Sequence, residues 1–487
     1  MDAEIGDDDP ARPASASSVY FQRIQVGGLR GFATDERLQL AIPNGRAGSG
    51  LTIVVGSNNA GKSTVWEAFD AIARGQRQSV SFSEGRRNRA YGDLVNLELM
   101  RLDGSGYKLH STAAGGSETE FKRVLSVSGA EPSDIVVVPS RRQFQAFFGR
   151  GYNPGRDWMS QVGEYVRNQS RDSFTGRLFA LHQDAANRSI FNNLMTEVVG
   201  HPVDWTIDQS DQGQLFLKFR DPSGASHTSD GLGDGMTSLL FILDSLYDSS
   251  PESLVVIDEP ELSLHPQFIR RLSMLIARYA TDRQIVVFTH SPTFISWPGV
   301  DAGAEIARVY KSSGSSHIAQ PSRPILEKVV RTALGNLFNP HVLGLDANEV
   351  FFLEDGVVLL EGQEDVIYLP RAVEQLGESM PGSVFGWGAG GAQNIGTVME
   401  LLQEMGFESV AAVLDNNVPD TVAELRDRFP SFKVLEIPAE DVRTKPSTPA
   451  KPEKHGLLAP GGTVRPELVD DLRARVLELR DYLARGS

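Results

Sequence analysis

The run Gly56-Ser57-Asn58-Asn59-Ala60-Gly61-Lys62-Ser63-Thr64 joins an apolar segment, Leu51–Val55, to a helix-like segment over residues 64–73. These residue types suit one chemistry, the binding of a polyphosphate. Gly56 and Gly61 let the backbone N–H groups of the turn, those of Asn58 and Asn59 among them, curl around phosphate oxygens. Lys62 reaches the terminal phosphates, Ser63 offers a hydroxyl to magnesium, and Thr64 opens the helix. Strand, G-x-x-x-x-G-K-S and helix in that order point to ATP or GTP.

Further segments carry the rest of a phosphate-transfer chemistry. Leu254-Val255-Val256-Ile257-Asp258-Glu259-Pro260-Glu261 is an apolar strand that ends in acids and continues into Leu262-Ser263-Leu264-His265-Pro266. Asp258 would hold magnesium, and Glu259 would orient and deprotonate the attacking water. Ile285-Val286-Val287-Phe288-Thr289-His290-Ser291 is a second buried-type strand, and His290 at its end would sense the terminal phosphate. Thr228-Ser229-Asp230-Gly231-Leu232-Gly233-Asp234-Gly235 precedes a helical pattern at 236–246. Its hydroxyl, amides and helix N-terminus suit a phosphate presented by another subunit, with Ser229 and Gly231 as contacts. The register stays open between Ser229-Asp230-Gly231 and Gly231-Leu232-Gly233. Leu29-Arg30-Gly31-Phe32 precedes the phosphate loop, and Arg30 is a further candidate for nucleotide phosphates. Arg141 and Arg142 have no assigned role, and Gln143 and Gln145 are positional candidates for a Q-loop glutamine. These segments fall in the order of an ABC-type ATPase. A signature loop completes a partner's site, so one copy per chain predicts a homodimer or higher homo-oligomer through this domain.

A second group of chemistry-bearing residues lies toward the C-terminus. Glu361-Gly362-Gln363-Glu364-Asp365 ends one apolar strand, Asp415-Asn416-Asn417 ends another, and Glu440 and Asp441 follow a third. Glu361 on a strand tip and Asp365 one helical turn later can face the same ion. Oxygen donors without His or Cys suit Mg²⁺ or Mn²⁺, and such metals polarise a phosphodiester and activate water. Capping of helix N-termini is the competing role for such acids, and it accounts for Glu364 or Asp420 by itself.

The elements that must position these groups follow from patterning. Residues 1–18 mix acids, Pro, Ala and Ser without periodicity and read as a disordered tail. Residues 19–345 read as the ATPase domain: strand-rich to about 139, with a helical, dimer-forming insert at about 143–200 and two hairpin-like strands near 203–207 and 214–219. Alternating α and β segments then run to 310. Residues 311–324, rich in Ser, Gly and Pro, read as a loop, and 325–337 as a connecting helix. Residues 346–487 read as a Rossmann-like parallel sheet: strands near 357–361, 383–387, 409–414 and 432–437 alternate with helices near 364–376, 393–405 and 420–428. A Lys- and Pro-rich loop at 444–454, whose Lys445, Lys451 and Lys454 are either solvated lysines or phosphate contacts, and a closing amphipathic helix at 466–484 complete it. The acid ligands then sit at the carboxyl ends of parallel strands, where open α/β sheets place their sites.

Composition bounds the classes. The chain has 487 residues, 40% hydrophobic and 23% charged, and no cysteine, which excludes disulfides, zinc–thiolate sites and cysteine nucleophiles. The net charge of −16 argues against a wholly basic coat for nucleic acid, while leaving room for a local basic groove. There is no long apolar run, and the acidic residues 1–9 are unlike a signal peptide, so the expectation is a cytoplasmic protein with no membrane partner.

Leu359-Leu360-Glu361-Gly362-Gln363-Glu364-Asp365-Val366-Ile367-Tyr368 resembles the first motif of a TOPRIM domain, and Val413-Leu414-Asp415-Asn416-Asn417 resembles its second. An ABC-type ATPase followed by TOPRIM is similar to the overcoming-lysogenization-defect (OLD) family of ATP-dependent nucleases, relatives of the Gabija-type antiphage nuclease. The resemblance runs from about residue 19 to the end. It implies that Glu361, Asp365 and Asp415 ligate metal for DNA cleavage, with Asn417 as a fourth metal-facing position. Asn417 departs from the pattern, with a neutral amide where the family carries a carboxylate. One charge fewer weakens at least one metal site. The expectation is therefore an ATP-regulated, Mg²⁺- or Mn²⁺-dependent DNA endonuclease or nickase, with a role in phage defence and a partner protein in that system. The alternatives are a nuclease-inactive ATPase switch or scaffold that binds DNA and controls a separate effector, and, more remotely, a transporter subunit.

Overall fold

The computed structural model describes residues 19–125, 134–140, 178, 181–209, 211, 215–220, 226–228, 234–334, 351, 353, 355–385, 388–445, 447 and 453–484. Its contacts form two compact units: residues up to Thr52 with Ser63–Phe288, and Ile53–Lys62 with residues from Thr289 onward. The division passes through the strand Leu51–Val55 and the start of the helix that follows it.

In the first unit, β1 (Phe21–Gly27), β2 (Glu36–Gln39), β4 (Asn96–Arg101), β5 (Gly106–Ser111) and β6 (Thr119–Val124) form an antiparallel sheet in the order β2-β1-β4-β5-β6. Ile24 pairs with Leu38 on one side and Leu99 on the other, and all three side chains are buried. The strand β3 (Leu51–Val55) is buried along its whole length. So are β11 (Leu254–Asp258) and β12 (Gln284–Phe288). Such uniformly apolar, β-branched runs are what a parallel sheet covered on both faces requires. Accordingly β11 lies parallel between β7 (Ile135–Val138) and β12, with Val255 opposite Val136 and Ile285. A smaller antiparallel sheet orders β8 (Asp204–Gln209), β9 (Leu215–Arg220) and β10 (Ser226–Thr228) as β10-β9-β8. Asp184 caps helix Ala185–Val199 by accepting from the N–H groups of Ala186 and Asn187, and Gly200 at φ 94° ends it.

The second unit corrects one expectation. Residues 311–324 are not a loop: β13 (Glu305–Ser312) turns back as β14 (Ser315–Ala319) in an antiparallel hairpin. Its two-residue turn, Ser313-Gly314, has both φ values positive, at 51° and 80°, which matches the twist of the flanking strands. Helix Arg323–Leu334 follows, so residues 289–334 group with the C-terminal sheet rather than with the first unit. That sheet orders β15 (Val357–Leu360), β16 (Ser383–Val384), β17 (Val410–Leu414) and β18 (Lys433–Glu436) as β16-β15-β17-β18, all parallel. Helices Gln363–Gln375, Ala392–Glu404 and Pro419–Arg428 are the crossovers. Leu472, Val476, Leu479 and Leu483 form the buried stripe of helix Val469–Leu483 and pack into one core with Val358, Ala411 and Leu435. A short parallel pair, β19 (Asp441–Arg443) and β20 (Gly456–Leu458), flanks the Lys-rich segment.

Candidate functional site

The phosphate loop is built on steric demands that its glycines meet. Gly56 lies at φ 147°, and a Cβ there would sit 2.1 Å from the Val309 carbonyl oxygen. Gly61 and Asn59 also have positive φ, at 123° and 61°, which turns successive N–H groups into one concavity. The buried Lys62 closes it, its Nζ donating to the carbonyls of Gly56 at 2.6 Å and Ser57 at 3.0 Å. Ser57, Asn58 and Asn59 are exposed. Ser316 Oγ donates to the Ala60 carbonyl at 2.7 Å and pins the loop from below. In the same unit, Thr289 N–H donates to the Val54 carbonyl, and the exposed His290 follows it.

In the first unit, Ser63 is exposed and Thr64 buried where helix Lys62–Gly75 begins. Asp258 ends β11 and is 5% exposed. Glu259 takes a left-handed conformation, φ 47°, and its N–H donates to the Phe288 carbonyl at 2.8 Å. Left-handed backbone at a non-glycine residue is sparsely populated, and here it falls directly after the end of a buried strand. Ser263 repeats this at φ 64°, and a Cβ on Gly235 would meet its carbonyl oxygen at 2.3 Å. Arg30, at φ 50°, pairs through Nε with Glu67 Oε2 at 2.8 Å, and Arg86 pairs with the other carboxylate oxygen at 2.9 Å. Glu67 lies one turn into the helix that follows the phosphate loop, a spacing from Ser63 that points both toward one helix face; nothing in the sequence reading singled it out. Ser229, Gly231, Arg141, Arg142, Gln143, Gln145, Lys451 and most of the predicted insert lie outside the described residues.

The C-terminal acids gather at the carboxyl ends of the parallel strands. Glu361, just past β15, accepts the Asp415 N–H at 2.9 Å, which ties the tips of β15 and β17 together. Asp365 accepts the Gly362 N–H at 2.9 Å and so caps its own helix. Asp441 joins them as a fourth acid, 3% exposed, taking Lys445 Nζ at 2.7 Å and Lys454 Nζ at 3.5 Å. An antiparallel bridge holds the backbones of these two lysines opposite one another. Glu364 instead pairs outward with Arg443 and Lys445. The sequence marked Asp441 only as an acid after a strand; the basic residues Arg443 and Lys445 beyond it were the available signal.

Burial and mutual repulsion set the electrostatics. Burial raises Glu361 above the usual carboxylate range, against the pull of the Asp415 N–H and Lys454. Asp365 is pushed up to about 6 by burial, then by Glu361 and Asp441, with the Gly362 N–H opposing. Asp415 is pushed up to about 8 by burial, then by Asp365, Glu361 and Asp441, with Lys454 opposing. Acids that crowd each other this way gain from a cation, and an all-oxygen donor set suits a hard one. Yet among the described residues no three His, Asp or Glu groups stand ready to ligate one ion. Mutual repulsion acts over longer distances than ligation, so a metal held by three of these acids would have to draw them closer. Asn417 is exposed, and its Nδ2 donates to the Glu440 carbonyl.

Residues 168–296, which hold the acidic strand and His290, match the family model "AAA domain, putative AbiEii toxin, Type IV TA system". No curated protein matches the chain. Among solved structures, the SMC head domain from Thermotoga maritima is 14% identical, with 62% of this chain and 99% of that one covered, at a TM-score of 0.35. An SmcHead bound to the C-winged helix domain of ScpA is 14% identical over 63% and 99%, at 0.39. The Smc head from Pyrococcus furiosus bound to the C-terminal domain of ScpA is 12% identical over 64% and 98%, also at 0.39. At such scores none of these likenesses bears on what this chain does. Among the described residues no helix is long and apolar enough to cross a membrane. An α/β fold with a phosphate loop, an acidic strand and an AAA-type match is that of an ATPase domain.

Proposed function

We propose that the chain is an ATP-regulated, divalent-metal-dependent DNA endonuclease or nickase of the OLD type, with residues 346–487 as its TOPRIM-like domain. The observation that carries this reading is the set of four acids, the buried Asp415 and Asp441 with the half-buried Glu361 and Asp365, gathered beyond the carboxyl ends of the parallel strands. Mg²⁺ or Mn²⁺ held by Glu361, Asp365 and Asp415 would polarise a phosphodiester and lower the pKa of a water. Glu361 also holds the Asp415 backbone, so the two strand tips present their carboxylates in a fixed relation. Lys445 and Lys454 balance Asp441 at the rim. In the ATPase domain, Lys62, Ser63 and Thr64 bind phosphates and magnesium, Asp258 assists the ion, Glu259 activates water and His290 senses the terminal phosphate. A homodimer would contribute Ser229 and Gly231 across subunits. The toxin–antitoxin wording of the matching family accords with a role in antiphage defence.

The test is relaxation of supercoiled plasmid by the purified chain with Mg²⁺ or Mn²⁺, beside Glu361→Ala and Lys62→Ala. Nicking that disappears in Glu361→Ala supports the nuclease, and the Lys62→Ala lanes give the sign of ATP control. A specific observation favours a second reading, an ATPase switch without nuclease activity. Asn417 turns a neutral amide toward Glu440, and no ready-made three-acid nest is present among the described residues. A wild type that hydrolyses ATP but cuts in neither metal selects that reading.

A further inference from the structure

The phosphate loop and the carboxylate sheet belong to the same compact unit, and one short hairpin touches both. On the loop side, Gly56 is pressed against the Val309 carbonyl and Ser316 holds the Ala60 carbonyl. Val309 and Ser316 lie in β13 and β14, one step from Arg308 and Tyr310 in the register. On the sheet side, Arg308 is 6% exposed. Its guanidinium donates to the carbonyls of Met405 at 3.3 Å and Gly406 at 3.1 Å, and pairs with Asp355 at 3.2 Å. It lies 3.8 Å over the Phe407 ring and 5.1 Å from the Tyr310 ring. Gly406 is packed so closely on Tyr310 that a Cβ there would lie 2.7 Å from its ring.

Asp355 passes the contact on. Its other carboxylate oxygen accepts the N–H groups of Glu408 and Ser409 at 2.8 and 3.2 Å. The Ser409 carbonyl in turn accepts from Gly356 and Val357. Arg308 and Asp355 therefore grip the entry ends of β15 and β17, whose exit ends carry Glu361 and Asp415. At about 3.3 Å per residue those strands span about 15 Å. A short strand in a packed sheet moves as a rod, so a shift at its entry is delivered at its exit.

We propose that Arg308 is the positioning residue that couples the nucleotide state of the phosphate loop to the geometry of the carboxylate cluster, with β13 as the connecting element. This rests on residues 56–64 being the nucleotide loop, and not on any cleavage activity. A loop that tightens on a phosphate must move or stiffen Val309, because Gly56 has no free space on that side. Arg308, the next residue, then transmits that change to Asp355 and the Met405–Ser409 turn.

The experiment is hydrogen–deuterium exchange on the full chain, with and without Mg²⁺ and a slowly hydrolysed ATP analogue, for wild type, Arg308→Lys and Asp355→Asn. In wild type, nucleotide slows exchange of peptides over 355–361 and 405–415 by about tenfold, within the usual range for coupled sites. In both variants the phosphate-loop peptide is still protected while the effect at 355–361 and 405–415 is lost. Should Arg308→Lys fail to fold, as read by circular dichroism, Asp355→Asn decides, because its carboxylate is partly exposed and less needed by the core. The proposal is overturned if wild type gains no protection in those peptides while its phosphate loop does. It is equally overturned if the folded variant gains the same protection as wild type. A failure of plasmid cleavage alongside intact coupling would sink only the nuclease reading.

Discussion

Replacing Asp415 with asparagine should stabilise the protein, and by an amount that depends on pH. The carboxyl titrates at about 8 in the folded chain against 3.8 ordinarily. The sign follows from proton binding. Between those two values the folded state holds a proton that the unfolded state has released, so stability falls as pH rises through the window. The penalty is absent below 3.8 and complete above about 8. At about 1.4 kcal/mol per pH unit, the ionisable Asp415 costs on the order of 5 kcal/mol at pH 8 and about 1–2 kcal/mol at pH 5. Asparagine keeps the shape and the backbone N–H that Glu361 accepts, while it removes both the buried charge and the repulsion from Asp365, Glu361 and Asp441. The assay is thermal unfolding of wild type and Asp415→Asn in the presence of a chelator, at pH 8 and pH 5. At about 2–4 °C per kcal/mol, the variant's midpoint should lie about 10 °C or more above wild type at pH 8, and the gap should shrink to a few degrees at pH 5. A variant no more stable than wild type at pH 8, or a gap indifferent to pH, refutes the reasoning. This is the expected trade at a functional site, where acids are crowded for a ligand at the fold's expense.

Glu259→Gln should retain ATP binding while ATP hydrolysis falls by about 100-fold or more, measured by phosphate release beside equilibrium nucleotide binding. Gly56→Ala should cost about 3 kcal/mol or more in chemical denaturation and abolish nucleotide binding, since its Cβ would meet the Val309 carbonyl at 2.1 Å on a backbone that side chains avoid. Asn417→Asp should tighten Mn²⁺ binding by about tenfold by restoring a charged oxygen, read by calorimetric titration.

What the sequence made legible was local. The phosphate loop, the acidic strand and the β-α rhythm after residue 356 are written in neighbouring residues, and β11, β12, β15 and β17 lie where their apolar runs place them. The hairpin of β13 and β14 was hidden because Ser, Gly and Pro in 311–324 look like a loop until the two positive φ values at Ser313-Gly314 pair the strands. Arg308 was equally hidden. Its partners Asp355, Met405 and Gly406 are far along the chain, and nothing in its own neighbourhood marks a buried cation. The acids at 361, 365 and 415 were found from strand ends, whereas the burial of Asp441 and its pairing with the part-exposed Lys445 and Lys454 depend on the pairing of β19 with β20 and of Lys445 with Lys454, which joins residues distant in sequence. Arg30 was readable as a basic group before the loop, but not as a partner of Glu67, which is a matter of helix packing.

The proposed nuclease chemistry requires that these carboxylates accept a divalent cation. The most direct measurement is a titration of Mn²⁺ into nucleotide-free protein, with the unbound ion followed by electron paramagnetic resonance. Saturable binding in wild type, lost in Glu361→Ala and unaffected by Lys62→Ala, is the expected result. Wild type that leaves all the Mn²⁺ free, or Glu361→Ala that binds as wild type does, would contradict it.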